Sequence, residues 1–108
     1  MNEETPLGTF EEHVLLAVLR TGEEAYGMAV RREIEMVTGR EIAIGAVYAT
    51  LDRLEAKGLV DSRRGEGQSR RLFAVTRLGA EALAGTRRMR DRLWRGVELD
   101  GLLGEAPG

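Results

Sequence analysis

The spacing of apolar residues changes twice along this 108-residue chain, and that change limits the folds open to it. From Thr9 onward Phe10, Val14, Leu15, Val18 and Leu19 recur at helical spacing, with Thr9 as the expected cap and Glu11 and Glu12 in the first turn. Gly22, in the run RTGEEA, breaks that pattern. A second helix is expected over Gly27 to Thr38, with Met28, Val30, Ile34 and Val37 inward and Gly39 closing it. Ile44, Val47, Leu51 and Leu54 then define a third helix from about Ile44 to Lys57, ended by Gly58.

After Gly58 the period drops to two. Val60, Ser62 and Arg64 alternate against Asp61 and Arg63, and Leu72, Ala74 and Thr76 alternate against Phe73 and Val75. The run EGQS between the two segments contains the glycine that a tight turn needs, so the pair reads as a β-hairpin. Thr76 caps a last helical run, TRLGAEALAGTRRMRDRLWRGVELDGLL, which Gly79 and Gly85 weaken locally. The expected fold class is therefore mainly α with a small β-hairpin. Three helices followed by a two-stranded wing is the winged helix-turn-helix order, here with a long C-terminal dimerisation helix. Residues 1–75 form the expected DNA-binding domain, and residues 76–108 the dimerisation helix and tail.

In the third helix one flank carries Gly45, Ala46, Ala49 and Thr50, with Tyr48 and Arg53 beside it. In a winged helix this element enters the major groove, and small side chains let its backbone approach the DNA. Tyr48, Thr50 and Arg53 have the reach for base edges or phosphates. The other reading is that the small residues let helix 1 or helix 2 pack closely, and that Tyr48 is a half-buried aromatic with its hydroxyl on a backbone group.

Charge bears on the choice. The net charge of -2 does not suggest a polyanion partner, but its distribution is uneven. Residues 1–42 hold nine acidic and four basic side chains, whereas residues 63–95 hold ten Arg against Glu66, Glu81 and Asp91. Such an asymmetry fits a basic face masked by an acidic one, or a solvated Arg-rich helix surface. The wing contributes Arg63, Arg64, Arg70 and Arg71, with Gln68 and Ser69 at its tip, a set suited to phosphates.

The segments LGTFEEHVLLAVL, EEAYGMAVRREIEMVTGREIAIGAVYATLDRLEAKGLV and FAVTRLGAEAL resemble the PadR-like transcriptional regulators over about residues 7 to 95. The Ala-Tyr-Gly opening of helix 2 and the Val-Tyr-x-x-Leu-x-Arg-Leu-x-x-x-Gly-Leu-Val run carry most of that resemblance. It implies a homodimeric repressor that binds a double-stranded DNA operator through Tyr48, its neighbours and the wing. It also implies release by a small aromatic ligand in many members. Tyr26 and Gly27 match the start of helix 2, where the resemblance places a phosphate at the helix N-terminus. The wing, GEGQSRRLF, is shorter than in many relatives, and a single C-terminal helix matches the smaller subgroup.

Ala82, Met89, Leu93 and Val97 form a stripe on the last helix that a second chain would cover, with Phe10, Val14 and Val18 as candidate partners from helix 1. Folding back over its own domain is the alternative. Trp94, the one Trp, either stacks on a planar ligand, as in some small PadR-like proteins, or anchors the interface.

An enzyme is not expected. His13 is the sole histidine and there is no cysteine, so neither a His-based triad nor a thiolate metal site can be assembled in one chain. GEGQSRR lacks the Lys-Ser/Thr of a phosphate-binding loop. No cofactor is expected, nor a membrane partner, since no apolar run approaches a span and MNEET is not a signal peptide. A soluble cytoplasmic protein is the default expectation. The competing function from another class is a winged-helix protein–protein interaction module without DNA binding.

Overall fold

The computed structural model describes residues 6–65 and 70–104, so Gln68 and Ser69 at the expected wing tip lie outside the described residues. Helix α1 spans Thr9–Thr21, α2 Gly27–Thr38 and α3 Ile44–Ala56. Strands β1, Val60–Arg64, and β2, Arg71–Val75, follow, then α4, Arg77–Trp94, and a short α5, Asp100–Leu103. This is the winged-helix order that the change of period implies.

The N-terminal cap of α1 is Gly8 and not Thr9, which is already the first helical residue. Glycine caps almost as well as Thr, and Glu11 accepts a hydrogen bond from the Gly8 N–H at 3.0 Å. Gly22, at φ 70, ends α1, and left-handed Gly39, at φ 73, ends α2.

The core joins one face of each helix to the wing. Val14, Leu15, Val18, Val30, Ile34, Val47, Leu51, Leu54, Val60, Phe73 and Leu83 are buried together. Two residues expected inward on α2 are exposed, Met28 and Val37. Met28 is two positions from buried Val30, hence nearly opposite it on a helix, and Val37 lies in a last turn that is exposed throughout.

The strands pair antiparallel in the register Val60↔Val75, Ser62↔Phe73 and Arg64↔Arg71, which puts Phe73 inward. On its other edge β2 meets the segment before α2. Phe73 N–H donates to Ala25 C=O at 2.9 Å, and Tyr26 and Leu72 form a bridge. The wing is thereby bound to the segment that leads into α2.

Thr76 caps α4 as expected, accepting from Gly79 N–H at 3.1 Å while its hydroxyl donates to Gly58 C=O at 2.7 Å. The expected single helix to Leu103 stops at Trp94, because Gly96 adopts a left-handed φ of 78. Only Gly79, Leu83 and Thr86 of α4 are buried, so its second half projects from the body. The chain extends 56 × 36 × 21 Å with a radius of gyration of 16.5 Å, against about 13 Å for a compact domain of roughly this length. A bidentate ion pair, Arg90 to Glu12 at 2.7 and 2.8 Å, ties the projecting part of α4 back to α1.

Val14 and Val18, expected to face a second subunit, are fully buried in their own core. The apolar residues that α1 leaves exposed are Leu16 and Leu19. Periodicity finds an apolar stripe, but not which of two stripes is covered at home.

Candidate nucleic-acid interface

The buried face of α3 is Val47, Thr50, Leu51 and Leu54, which forces Gly45, Ala46, Ala49 and Arg53 to the outside. The exposed helix face is thus smooth along its middle. Thr50 does not belong to it: it is 2% exposed, and its hydroxyl accepts from Arg53 Nη2 at 3.2 Å. It steadies Arg53 and has no reach of its own.

Tyr48 borders the smooth strip and is 37% exposed. Its ring packs on Gly27, where an added Cβ would overlap Cζ, Oη and Cε1 of the tyrosine. Gly27 is buried by that contact. On the other border Arg53 Nε lies 3.9 Å from Glu11, whose carboxylate also accepts from Lys57 Nζ at 2.8 Å. The hydrogen bond from Lys57 is the main reason that the Glu11 pKa is held below its ordinary value, with the Gly8 N–H and Arg53 adding to it against partial burial.

Beside the start of α2, Tyr26 gathers two arginines. The guanidinium of Arg70 stacks 4.1 Å from the ring centroid, and Arg32 Nη2 donates to the phenol oxygen at 3.0 Å. The Arg32 hydrogen bond and charge lower the Tyr26 pKa. Arg32 was not among the residues singled out from the sequence. Its signal is only its place, six residues after Tyr26, which is too common on a helix to stand out.

The wing arginines divide. Arg63, Arg64 and Arg70 are exposed. Arg71 is 33% exposed and engaged by Asp52 at 3.1 Å and Glu55 at 2.7 Å, with its guanidinium 4.9 Å from the Phe73 ring. Its charge, expected to neutralise phosphate, is already matched by two carboxylates of α3.

Away from this face, Phe10, Ala82 and Met89 are half-buried, whereas Leu93 at 71% and Trp94 at 53% are exposed, together with Val97. Among the described residues no group of His, Cys, Asp or Glu is placed to hold a metal. No helix among them is long and apolar enough to cross a membrane.

The family model that describes the transcriptional regulator PadR-like family matches residues 15–85, which is most of the body and the first half of α4. This chain belongs to the PadR-like family. Transcriptional regulator Rv3488 of Mycobacterium tuberculosis is 36% identical over 76 residues, covering 68% of this chain and 70% of that protein. The RosR structure from H. salinarum aligns with a TM-score of 0.72 at 26% identity, over 89% of this chain and 84% of that one. A winged-helix DNA-binding protein from STIV shares the fold, with a TM-score of 0.71 at 13% identity over 87% of this chain and 100% of that one. The PadR-like protein is accordingly a transcriptional regulator of the winged-helix class and not an enzyme.

Proposed function

We propose that this PadR-like regulator is a homodimer that binds a double-stranded DNA operator and represses transcription from it. The observation that carries the reading is the smooth exposed strip of α3, Gly45, Ala46 and Ala49, bordered by Tyr48 and Arg53 and flanked by an arginine-bearing wing. A helix that lies in the major groove needs this combination of close backbone approach and a few long polar side chains. Tyr48 and Arg53 would reach the DNA, with Thr50 holding Arg53 from inside. Arg63, Arg64 and Arg70, with Gln68 and Ser69, would meet phosphates along the wing. Tyr26 and the backbone N–H of Gly27 would meet one at the start of α2.

Residues 1–75 serve in this reading as the DNA-binding unit and residues 76–108 as the pairing unit. The exposed Leu93, Trp94 and Val97, together with Ala82, Met89, Phe10, Leu16 and Leu19, give a second copy an apolar surface to cover. Trp94 is assigned to that surface as an anchor, and release of the operator by a small aromatic effector would act through it.

The test is fluorescence anisotropy of the purified protein on the DNA upstream of its own coding region and on a scrambled duplex, at several salt concentrations. Preference for the upstream DNA is expected. The salt slope should fall by about 0.9 for each phosphate contact removed, so Arg63→Ala/Arg70→Ala should flatten it. No preference, with the same slope in the variant, would overturn the reading and point to a protein partner of α3 instead.

A further inference from the structure

We infer that Arg71 is a positioning residue that holds the wing at a fixed angle to α3, and not one of the arginines that bind phosphate. The inference rests on the DNA-binding reading above.

Arg71 sits on β2, and both of its terminal nitrogens are used within the chain. Nη1 donates to Asp52 Oδ1 at 3.1 Å and Nη2 to Glu55 Oε1 at 2.7 Å. The other oxygen of Glu55 accepts from Ser62 Oγ, on β1, at 2.7 Å. Glu55 therefore ties both strands of the wing to the last turns of α3. Ser62 is in register with Phe73, and the Arg71 guanidinium lies over the Phe73 ring, which closes the bracket on the core side. Only a planar fork can hold two carboxylates and lie on a ring at once, so Lys would keep the charge and lose the geometry.

Electrostatics argues the same way. Asp52 and Glu55 together bring two negative charges to the face that would meet phosphates, and Arg71 returns one positive charge. A face built only for affinity would carry neither carboxylate. Partly exposed ion pairs add little to stability. What the bracket does supply is orientation: phosphate contacts from the wing set the register in which α3 meets base edges.

The test uses the full-length protein and two duplexes, one selected by the wild type from a random-sequence pool and a scrambled one of the same length. Glu55→Gln removes a negative charge at nearly constant shape. It is expected to bind the scrambled duplex at least as tightly as wild type, and the selected duplex about tenfold more weakly, the loss that goes with one misaligned base contact. Arg71→Lys should lose the same selectivity with an unchanged salt slope. Thermal melts check that the variants are folded. Should Arg71→Lys melt below the assay temperature, Ser62→Ala removes only the β1 end of the bracket and should show a smaller loss of the same kind. If Glu55→Gln tightens both duplexes and Arg71→Lys binds like wild type, the inference is overturned and Arg71 is a phosphate contact. A wild type that selects no duplex overturns the DNA-binding reading, and this inference with it.

Discussion

The ring of Tyr48 on α3 lies so close to Gly27, in the first turn of α2, that no side chain larger than hydrogen fits at position 27. The two helices of the helix-turn-helix unit are thereby locked at the residue that borders the candidate DNA face. Tyr48 stays 37% exposed while Gly27 is buried, so the ring is held on one side and offered on the other.

Gly27→Ala is expected to destabilise the protein. Ala favours a helix over Gly by up to about 1 kcal/mol, but overpacking typically costs about 1–3 kcal/mol, and the overlap here involves three atoms of an aromatic ring. The melting midpoint should fall by several degrees. Tyr48→Ala removes the obstacle, so Gly27→Ala should cost little when it is added to that background. Equal losses in both backgrounds would sink the packing argument.

Gly79 and Gly85 both lie on α4 and should respond in opposite directions. A Cβ at Gly79 would overlap the carbonyl oxygen of Leu59 and crowd Val75, and a backbone atom cannot rotate away. At Gly85 the nearest atom to an added Cβ is the end of the flexible Arg88 side chain, 3.8 Å off. Gly85→Ala should therefore stabilise by about 0.5–1 kcal/mol, while Gly79→Ala should cost about 1–3 kcal/mol. Denaturant melts of the two single variants decide it, and the same sign for both would be the wrong result.

Acid stability follows from Glu12 and Glu11. Glu12 is only 7% exposed, and the hydrogen bonds from Arg90 hold its pKa below the ordinary 4.5 against the opposing effect of burial. Glu11 is lowered in the same direction, chiefly by Lys57. A carboxylate whose folded pKa is depressed contributes stability above its unfolded value and loses it as pH falls through the folded value. These two groups should leave stability unchanged from neutral pH down to about 5 and reduce it below about 4.5. Glu12→Gln, which is neutral throughout, should melt lower than wild type at neutral pH, with the gap closing in acid. A gap of constant size would assign the effect to packing and not to ionisation.

Much of this was legible in the sequence because local rules and the fold agree. Gly22, Gly39 and Gly58 end helices where the pattern says they should, and the alternation after Leu59 is a true hairpin. The errors share a cause: periodicity finds a face without saying what covers it. Val14 and Val18 form a correct stripe assigned to the wrong neighbour, and Thr50 sits next in sequence to an exposed residue but turns 100° inward. Counting charges along the chain also misses that Arg71 is paired within the fold, because its two carboxylates come from a helix 16 to 19 residues earlier. The last helical run was expected to continue past Gly96, whose positive φ marks the end of α4.

Pairing through α4 gives the last test. Leu93, Trp94 and Val97 are exposed beyond Thr86, the last buried residue of α4, and Arg90 ties that part of the helix to α1. If a second copy covers them, Leu93 and Trp94 lie at the centre of the covered patch, where truncating an anchor costs about 2 kcal/mol or more, roughly a thirtyfold weaker dimer. Leu93→Ala/Trp94→Ala should therefore shift the sedimentation profile toward monomer at micromolar protein. The core of Leu15, Leu51 and Leu54 is untouched by the change, so the circular dichroism of the helices should persist. Salt should matter little to this equilibrium, since the patch is apolar, in contrast to the steep salt response expected with DNA. A variant that sediments like wild type would leave α4 without the pairing role, and the two recognition helices would need another surface to fix their spacing.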